Sequence, residues 1–171
     1  MRLPLTQMLD EWARKLAPFA FTVVLALLAV LRVPAPGFVD IAPMLPVIAV
    51  FYWSLYRPEL LPPVAVFTIG ILVDSLSGTP LGVNALLLLA VCAFVRSQRQ
   101  LLEPKGFFLH WFAFSIVVAM FEGLRWALMS LLGGAIFGVG PPAYRAGLAV
   151  ALYPFFSWLL LRVHHAFLKQ V

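Results

Sequence analysis

Six long apolar runs occupy most of this chain of 171 residues. Prolines, glycines and charged residues separate the runs, and these residue types end helices and form turns. The longer runs approach the roughly 20 residues that cross a bilayer as a helix, which satisfies its own backbone hydrogen bonds in lipid. The sequence therefore predicts an all-α integral membrane protein, a six-transmembrane-helix bundle that forms a single domain over residues 1–171. The predicted spans are residues 16–33, 41–56, 60–76, 81–95, 109–132 and 144–163.

The second span, residues 41–56, is short and contains Pro43 and Pro46 near its start. Proline lacks a backbone N–H and disfavours a helical conformation in the residue before it. We expect an irregular or bent entry into this span. Whether it crosses the membrane fully is left open by the sequence.

Composition excludes several classes of function. The chain is 63% hydrophobic and 11% charged, which is outside the range of ordinary soluble domains. Its formal net charge is +5, but the basic residues are scattered at the ends of apolar runs, so no nucleic-acid site is expected. The single cysteine excludes an intrachain disulfide, and the adjacent His164 and His165 lack the spacing of a metal site on one helix face. Without a nucleophile motif or a phosphate-binding loop, we expect no enzyme activity, cofactor or metal.

The basic residues predict the orientation in the membrane. Residues 1–15 have apolar side chains at helical spacing and read as an interfacial amphipathic helix. With six spans, nine basic residues fall on the side that carries both termini, and only Arg32 and Arg145 fall on the other. The positive-inside rule then places the N- and C-termini in the cytoplasm. The nine residues are Arg2, Arg14, Lys15, Arg57, Arg96, Arg99, Lys105, Arg162 and Lys169.

Asp74 is the only ionisable residue in the predicted third span. It follows Gly70 and precedes Gly78 by four residues, so helical spacing predicts that the three share one face. A carboxylate in a membrane is costly unless it meets a partner or water. We expect Asp74 to face protein and to hold the tight hairpin of the third and fourth spans, through Asn84 or a neighbouring helix. A ligand or proton site at Asp74 is the alternative.

The fifth span contains a second carboxylate, Glu122, three residues before Arg125, and this spacing predicts an ion pair along one helix face. Small residues recur every four positions beside the pair and again in the sixth span, which is typical of close helix contacts. We expect these stripes to pack within the chain, and contact with another protein is the alternative. The stripes are Ser115, Ala119, Gly123 and Ala127 in the fifth span, and Ala143, Gly147 and Ala151 in the sixth.

The stretch from about residue 52 to residue 90 resembles the MreD family, the small membrane subunit of the bacterial rod-shape system. Arg57 in this stretch is expected to be structurally specific, pairing with Glu59. The residues that carry the resemblance are Tyr56, Arg57, Pro58, Phe67, Gly70, Asp74, Gly78, Pro80, Leu81, Gly82, Asn84, Ala85 and Leu86.

The resemblance implies a multi-pass protein of the bacterial cytoplasmic (inner) membrane that acts as a non-catalytic scaffold or regulator of the rod complex in lateral peptidoglycan synthesis. The implied partners are MreC, the RodA glycosyltransferase, its class B penicillin-binding transpeptidase and, directly or indirectly, MreB, with membrane lipids around them. A substrate-binding subunit of an energy-coupling-factor transporter is the main alternative, in which Asp74 and Asn84 would line a ligand pocket. A flippase for lipid-linked precursors is disfavoured, since few cations in the spans could neutralise a pyrophosphate.

Overall fold

The computed structural model describes residues 19–28, 44–102, 106–134, 138 and 140–168, with only the backbone described beyond residue 162. The predicted interfacial segment 1–15, the loop that contains Asp40, and the side chains of His164 and His165 lie outside the described residues. The described part of the chain forms seven helices and no strand. They are α1 (Phe19–Leu28), α2 (Leu45–Tyr56), α3 (Pro63–Ser77), α4 (Val83–Ser97), α5 (Arg99–Leu102), α6 (Phe107–Gly133) and α7 (Gly140–Leu168).

Helix lengths divide the bundle into two classes. Within the described ranges, α6 and α7 are long and apolar enough to cross a membrane, the latter over Gly140–Arg162. Helices α3 and α4 have 15 residues each, which gives a length of about 22 Å against a hydrocarbon core of roughly 30 Å. Two spans are therefore supported by length and composition, and the six-span arrangement stays a prediction.

Helix α2 lies at the centre of the bundle, packed against α4 and α7. Every residue from Leu45 to Leu55 is buried, as expected of a helix that is apolar on all sides. Phe51 makes edge-on ring contacts with Phe114 of α6 at 5.2 Å and with Tyr153 of α7 at 5.9 Å. Pro46 lies in the first turn of α2, where its missing N–H costs no internal hydrogen bond. The predicted span 41–56, for which the sequence left full crossing open, thus forms the core of the fold.

Helices α3 and α4 form the predicted hairpin. Gly78, at the end of α3, and Gly82, just before α4, adopt positive φ angles of 67° and 99°, which favour glycine. At Gly70, an added Cβ would lie 2.2 Å from the Cα of Ala85, so the two helices touch through their backbones. The predicted single face of Gly70, Asp74 and Gly78 is correct for the first two residues only, because the helix ends at Gly78.

Helices α6 and α7 pack side by side, and the indole N–H of Trp111 donates a hydrogen bond of 2.9 Å to the carbonyl of Val150. Helix α7 begins at Gly140, earlier than the predicted start at residue 144. Pro141 and Pro142 precede the predicted span, but in the structure both lie in the first turn of α7. Proline is tolerated there because the first N–H groups of a helix have no partner within it.

Candidate functional site

The Asp74 carboxylate is fully buried and accepts five hydrogen bonds. Its Oδ1 accepts from the Thr79 hydroxyl at 2.8 Å, from the Asn84 backbone N–H at 3.1 Å and from the Asn84 side-chain amide at 2.9 Å. Its Oδ2 accepts from the backbone N–H groups of Gly82 at 2.9 Å and Ala85 at 3.4 Å. The structure thus brings together Asp74 and Asn84, as the sequence predicted.

These contacts make Asp74 the N-terminal cap of the helix that follows its own. The residue just before α4 is Gly82, which has no side chain to bond the free N–H groups of the first turn. The carboxylate of Asp74 reaches across the hairpin and takes that role, and its negative charge lies at the positive end of the α4 dipole. Asp74 needs no cation for this, because the donors and the dipole stabilise the charged form.

The geometry does not favour Asp74 and Asn84 as the lining of a ligand pocket. Asp74 is 0% exposed and Asn84 4% exposed, and the Asn84 amide donates both to the carboxylate and to the Thr79 hydroxyl, the latter at 3.2 Å. The Asp74 carboxylate and the Asn84 amide are thus hydrogen-bonded to each other and not directed at an open cavity. The transporter alternative therefore gains no support at the place where the sequence located it.

The Tyr56-Arg57-Pro58 segment connects α2 to α3. The predicted pair of Arg57 and Glu59 is present, with 3.4 Å between Nη1 and Oε1, but both side chains are well exposed and the pair contributes little to stability. The Tyr56 hydroxyl lies 3.4 Å from Nδ1 of His110 on α6. The segment is therefore fixed more by the tyrosine and the backbone than by the arginine charge.

Arg96, which the sequence marked only as an orientation signal, anchors this connection. Its Nη2 donates hydrogen bonds to the carbonyls of Pro58 at 2.8 Å and Leu61 at 2.7 Å. A guanidinium near the end of α4 thus binds the turn that precedes α3. Sequence reasoning missed this role, since the partners are backbone atoms 35 and 38 residues away.

Glu122 forms two ion pairs where one was predicted. Its Oε1 lies 3.6 Å from Nη1 of Arg125, and its Oε2 accepts a hydrogen bond of 3.2 Å from Nη2 of Arg145 on α7. We call these three residues the charged triad. The sequence assigned Arg145 to the external surface. The signal that could have found the second pair is that Arg145 lies inside an apolar run adjacent in order to the span that carries Glu122.

A cavity of about 370 Å³ lies between α6 and α7, next to the charged triad. Three of its seven lining residues, Ala119, Gly123 and Ala143, belong to the predicted small-residue stripes, and we call it the small-residue groove. It is lined by Ala119, Glu122, Gly123, Trp126, Pro142, Ala143 and Ala146.

The stripes themselves are not tight contacts within the chain at their glycines. Gly123 and Gly147 are exposed, and a Cβ added at either would meet nothing within 4 Å. This differs from Gly70, where the helices touch. Within the described residues, no contact with another helix is seen at Gly123 and Gly147, and the role of the stripes stays a prediction.

Among the described residues, no group of three or more His, Cys, Asp or Glu side chains could hold a metal ion. Comparison with known proteins gives one match. The sequence profile of the family described as MreD, rod shape-determining protein MreD, matches residues 11–163. Neither a curated protein nor a solved structure matches the chain. The profile extends well beyond the 52–90 stretch and covers every helix that carries the contacts described above.

Proposed function

Because the chain belongs to the MreD family of rod shape-determining proteins, we propose that it is a non-catalytic scaffold of the bacterial rod complex. The family is a membrane protein family with a role in determining rod shape. In the proposal, the protein binds MreC and thereby orients it toward the RodA glycosyltransferase and the class B penicillin-binding transpeptidase, with MreB linked directly or indirectly. The protein would lie in the cytoplasmic membrane, and the complex that it organises would carry out lateral peptidoglycan synthesis.

The proposal includes six spans with both termini in the cytoplasm. Support comes from the two long helices, from four further apolar helices, and from the excess of basic residues on one side. The shorter helices can serve as spans because irregular backbone at membrane depth is tolerated where protein covers it. The α3–α4 hairpin has this character, since its turn is bonded to the buried Asp74 carboxylate.

One observation carries the docking part of the proposal: the glycines of the small-residue stripes are open. Membrane helices associate through small residues that let backbones approach closely. On α6 and α7 such residues line the groove at Ala119, Gly123 and Ala143. Gly147, one turn after Ala143, lies beside the groove and is open as well, since within the described chain nothing outside its own helix comes within 4 Å of a Cβ added there. We assign the groove to the transmembrane helix of MreC.

The test is co-purification with MreC in mild detergent. Gly123→Leu and Gly147→Leu should each lower recovery of MreC several-fold, since leucine fills the space that a second helix would occupy. The bundle should stay folded, because within the described residues a Cβ at either position meets nothing outside its own helix within 4 Å.

Ala93→Leu is the matched control. It creates the same side chain at an exposed position of α4, away from the groove, with three added carbon atoms against four, and should leave MreC recovery unchanged. Unchanged recovery with both glycine variants, when each is folded, would remove the groove as the docking surface. Loss of recovery with Ala93→Leu alone would move the docking surface to α4.

A further inference from the structure

The charged triad has one positive charge in excess. Two guanidinium groups, Arg125 and Arg145, share the single carboxylate of Glu122. The arginine side chains are 13% and 26% exposed and the glutamate 4%. Asp74 also attracts Arg125 electrostatically, but its carboxylate already accepts five hydrogen bonds, and among the described residues Glu122 is the carboxylate at ion-pair distance from both arginines. A cation among apolar helices is costly, and such residues in membrane proteins find an anion, a carbonyl or water.

A second cavity, of about 320 Å³, lies beside both arginines and adjoins the small-residue groove at Trp126 and Pro142. We call it the arginine cavity. Apart from the two guanidinium groups its walls are largely apolar, formed by Trp126, Met129, Pro141 and Pro142. Nε of Arg145 is buried and has no hydrogen-bond partner within the described chain. The cavity therefore offers two guanidinium groups to an anion, and an apolar surface to what the anion is attached to.

We propose that the arginine cavity binds the phosphodiester group of an anionic phospholipid. A phosphodiester carries one negative charge, which balances the one excess positive charge of the triad, whereas a pyrophosphate would exceed it. Guanidinium groups suit this ligand because their planar fork bonds two phosphate oxygens at once.

The position along the helices agrees with a lipid headgroup. Arg145 lies five residues after the first residue of α7, about 7.5 Å along the helix axis. A long arginine side chain can extend from that depth toward the headgroup region.

The experiment uses the full chain alone in an uncharged detergent, so its result does not depend on MreC. Binding of phosphatidylglycerol is followed by native mass spectrometry and by the shift in Tm, with phosphatidylcholine, diacylglycerol and inorganic phosphate as comparison probes. We expect retention of phosphatidylglycerol over the others. Arg145→Gln should weaken it about tenfold, the effect of losing one charge-assisted hydrogen bond.

Glu122→Gln is expected to change the lipid affinity in the opposite direction. It raises the excess charge from one to two and should tighten binding, whereas damage to the fold would weaken binding in both variants. Arg162→Gln is the matched control, because Arg162 lies on the same helix over the ring of Trp158 and away from the cavity. It should bind as the wild type does.

Three results would overturn the proposal. Equal weakening by Arg145→Gln and Glu122→Gln would assign the triad to the fold alone. Stabilisation by inorganic phosphate equal to that by phosphatidylglycerol would exclude the lipid as the source of the anion. Lipid binding unchanged in Arg145→Gln, with MreC recovery lost instead, would assign the arginines to a carboxylate of a partner protein.

Discussion

Asp74→Asn is the sharpest test of the hairpin. The substitution keeps the shape of the side chain, removes its charge and replaces one oxygen by an NH2 group. Whichever oxygen is replaced, the new donor faces other donors: the N–H groups of Gly82 and Ala85 on one side, or the Thr79 hydroxyl and the two Asn84 N–H donors on the other. The carboxamide is expected to choose the side with fewer and longer bonds, which is that of Gly82 and Ala85.

The magnitude follows from the two bonds lost on that side. Hydrogen bonds to a charged group contribute roughly 1.5–3 kcal/mol each, and the bond from Ala85, at 3.4 Å, lies at the weak end. Relief from burying a charge offsets part of the loss. We therefore expect the free energy of unfolding to fall by about 3 kcal/mol.

Two neighbouring substitutions calibrate the assay. Thr79→Val removes one of the three donors to Oδ1, and the acceptor of one Asn84 amide bond, without changing the shape. It should cost about 2 kcal/mol. Ser75→Ala removes an exposed hydroxyl on the same helix that bonds only to the carbonyl of Ile71, and should lie within about 0.5 kcal/mol of the wild type. Unfolding in mixed micelles, followed by far-UV circular dichroism, gives all three values.

The order of the three variants is the decisive result. If Asp74→Asn is as stable as Ser75→Ala, the carboxylate does not cap α4 and the account of the hairpin is refuted. If Asp74→Asn is as stable as the wild type but loses MreC, Asp74 acts through the shape of a partner surface and not through the stability of the hairpin.

Three further predictions concern other contacts. Gly70→Ala should lower the free energy of unfolding by more than about 2 kcal/mol in the same assay, because its Cβ would overlap the α4 backbone; wild-type stability would show that the helices can separate there at little cost. Arg96→Met should speed proteolysis between α2 and α3, as its two bonds to backbone carbonyls are lost, and an unchanged cleavage rate would contradict this. In a Cys92→Ser background, Tyr144→Cys should react with an impermeant thiol reagent from outside and Ser97→Cys only after permeabilisation; the reverse pattern would invert the proposed topology.

The hairpin could be predicted from sequence because its determinants are close together in the chain. Gly70, Asp74 and Asn84 lie within 15 residues. A single carboxylate next to turn-forming residues has few possible hydrogen-bond partners other than the turn itself. What the sequence left open was which groups Asp74 bonds. The answer, the N–H groups at the start of α4, depends on the positive φ of Gly82, which spacing does not reveal.

Contacts between distant parts of the chain were less accessible. The pair of Glu122 and Arg125 followed from helical spacing, but the second partner, Arg145, depends on the rotation of α7 about its axis. The same holds for the stripes of small residues: a repeat of four identifies a face, while only the packing shows that Gly123 and Gly147 remain open. The role of Arg96 was missed because the positive-inside rule already accounts for a basic residue near a membrane surface, so nothing in the sequence called for a further partner.

The burial of α2 has a consequence for how the protein is made. This helix leaves the ribosome second, yet its ring contacts are with Phe114 and Tyr153, residues synthesised much later. Helix α4 can pack against α2 early, but until α6 and α7 arrive the side of α2 that carries Phe51 has no protein around it. Insertion must therefore be followed by a rearrangement in which the last helices close over α2, and a chain that stops before Gly140 should be a substrate for membrane quality control.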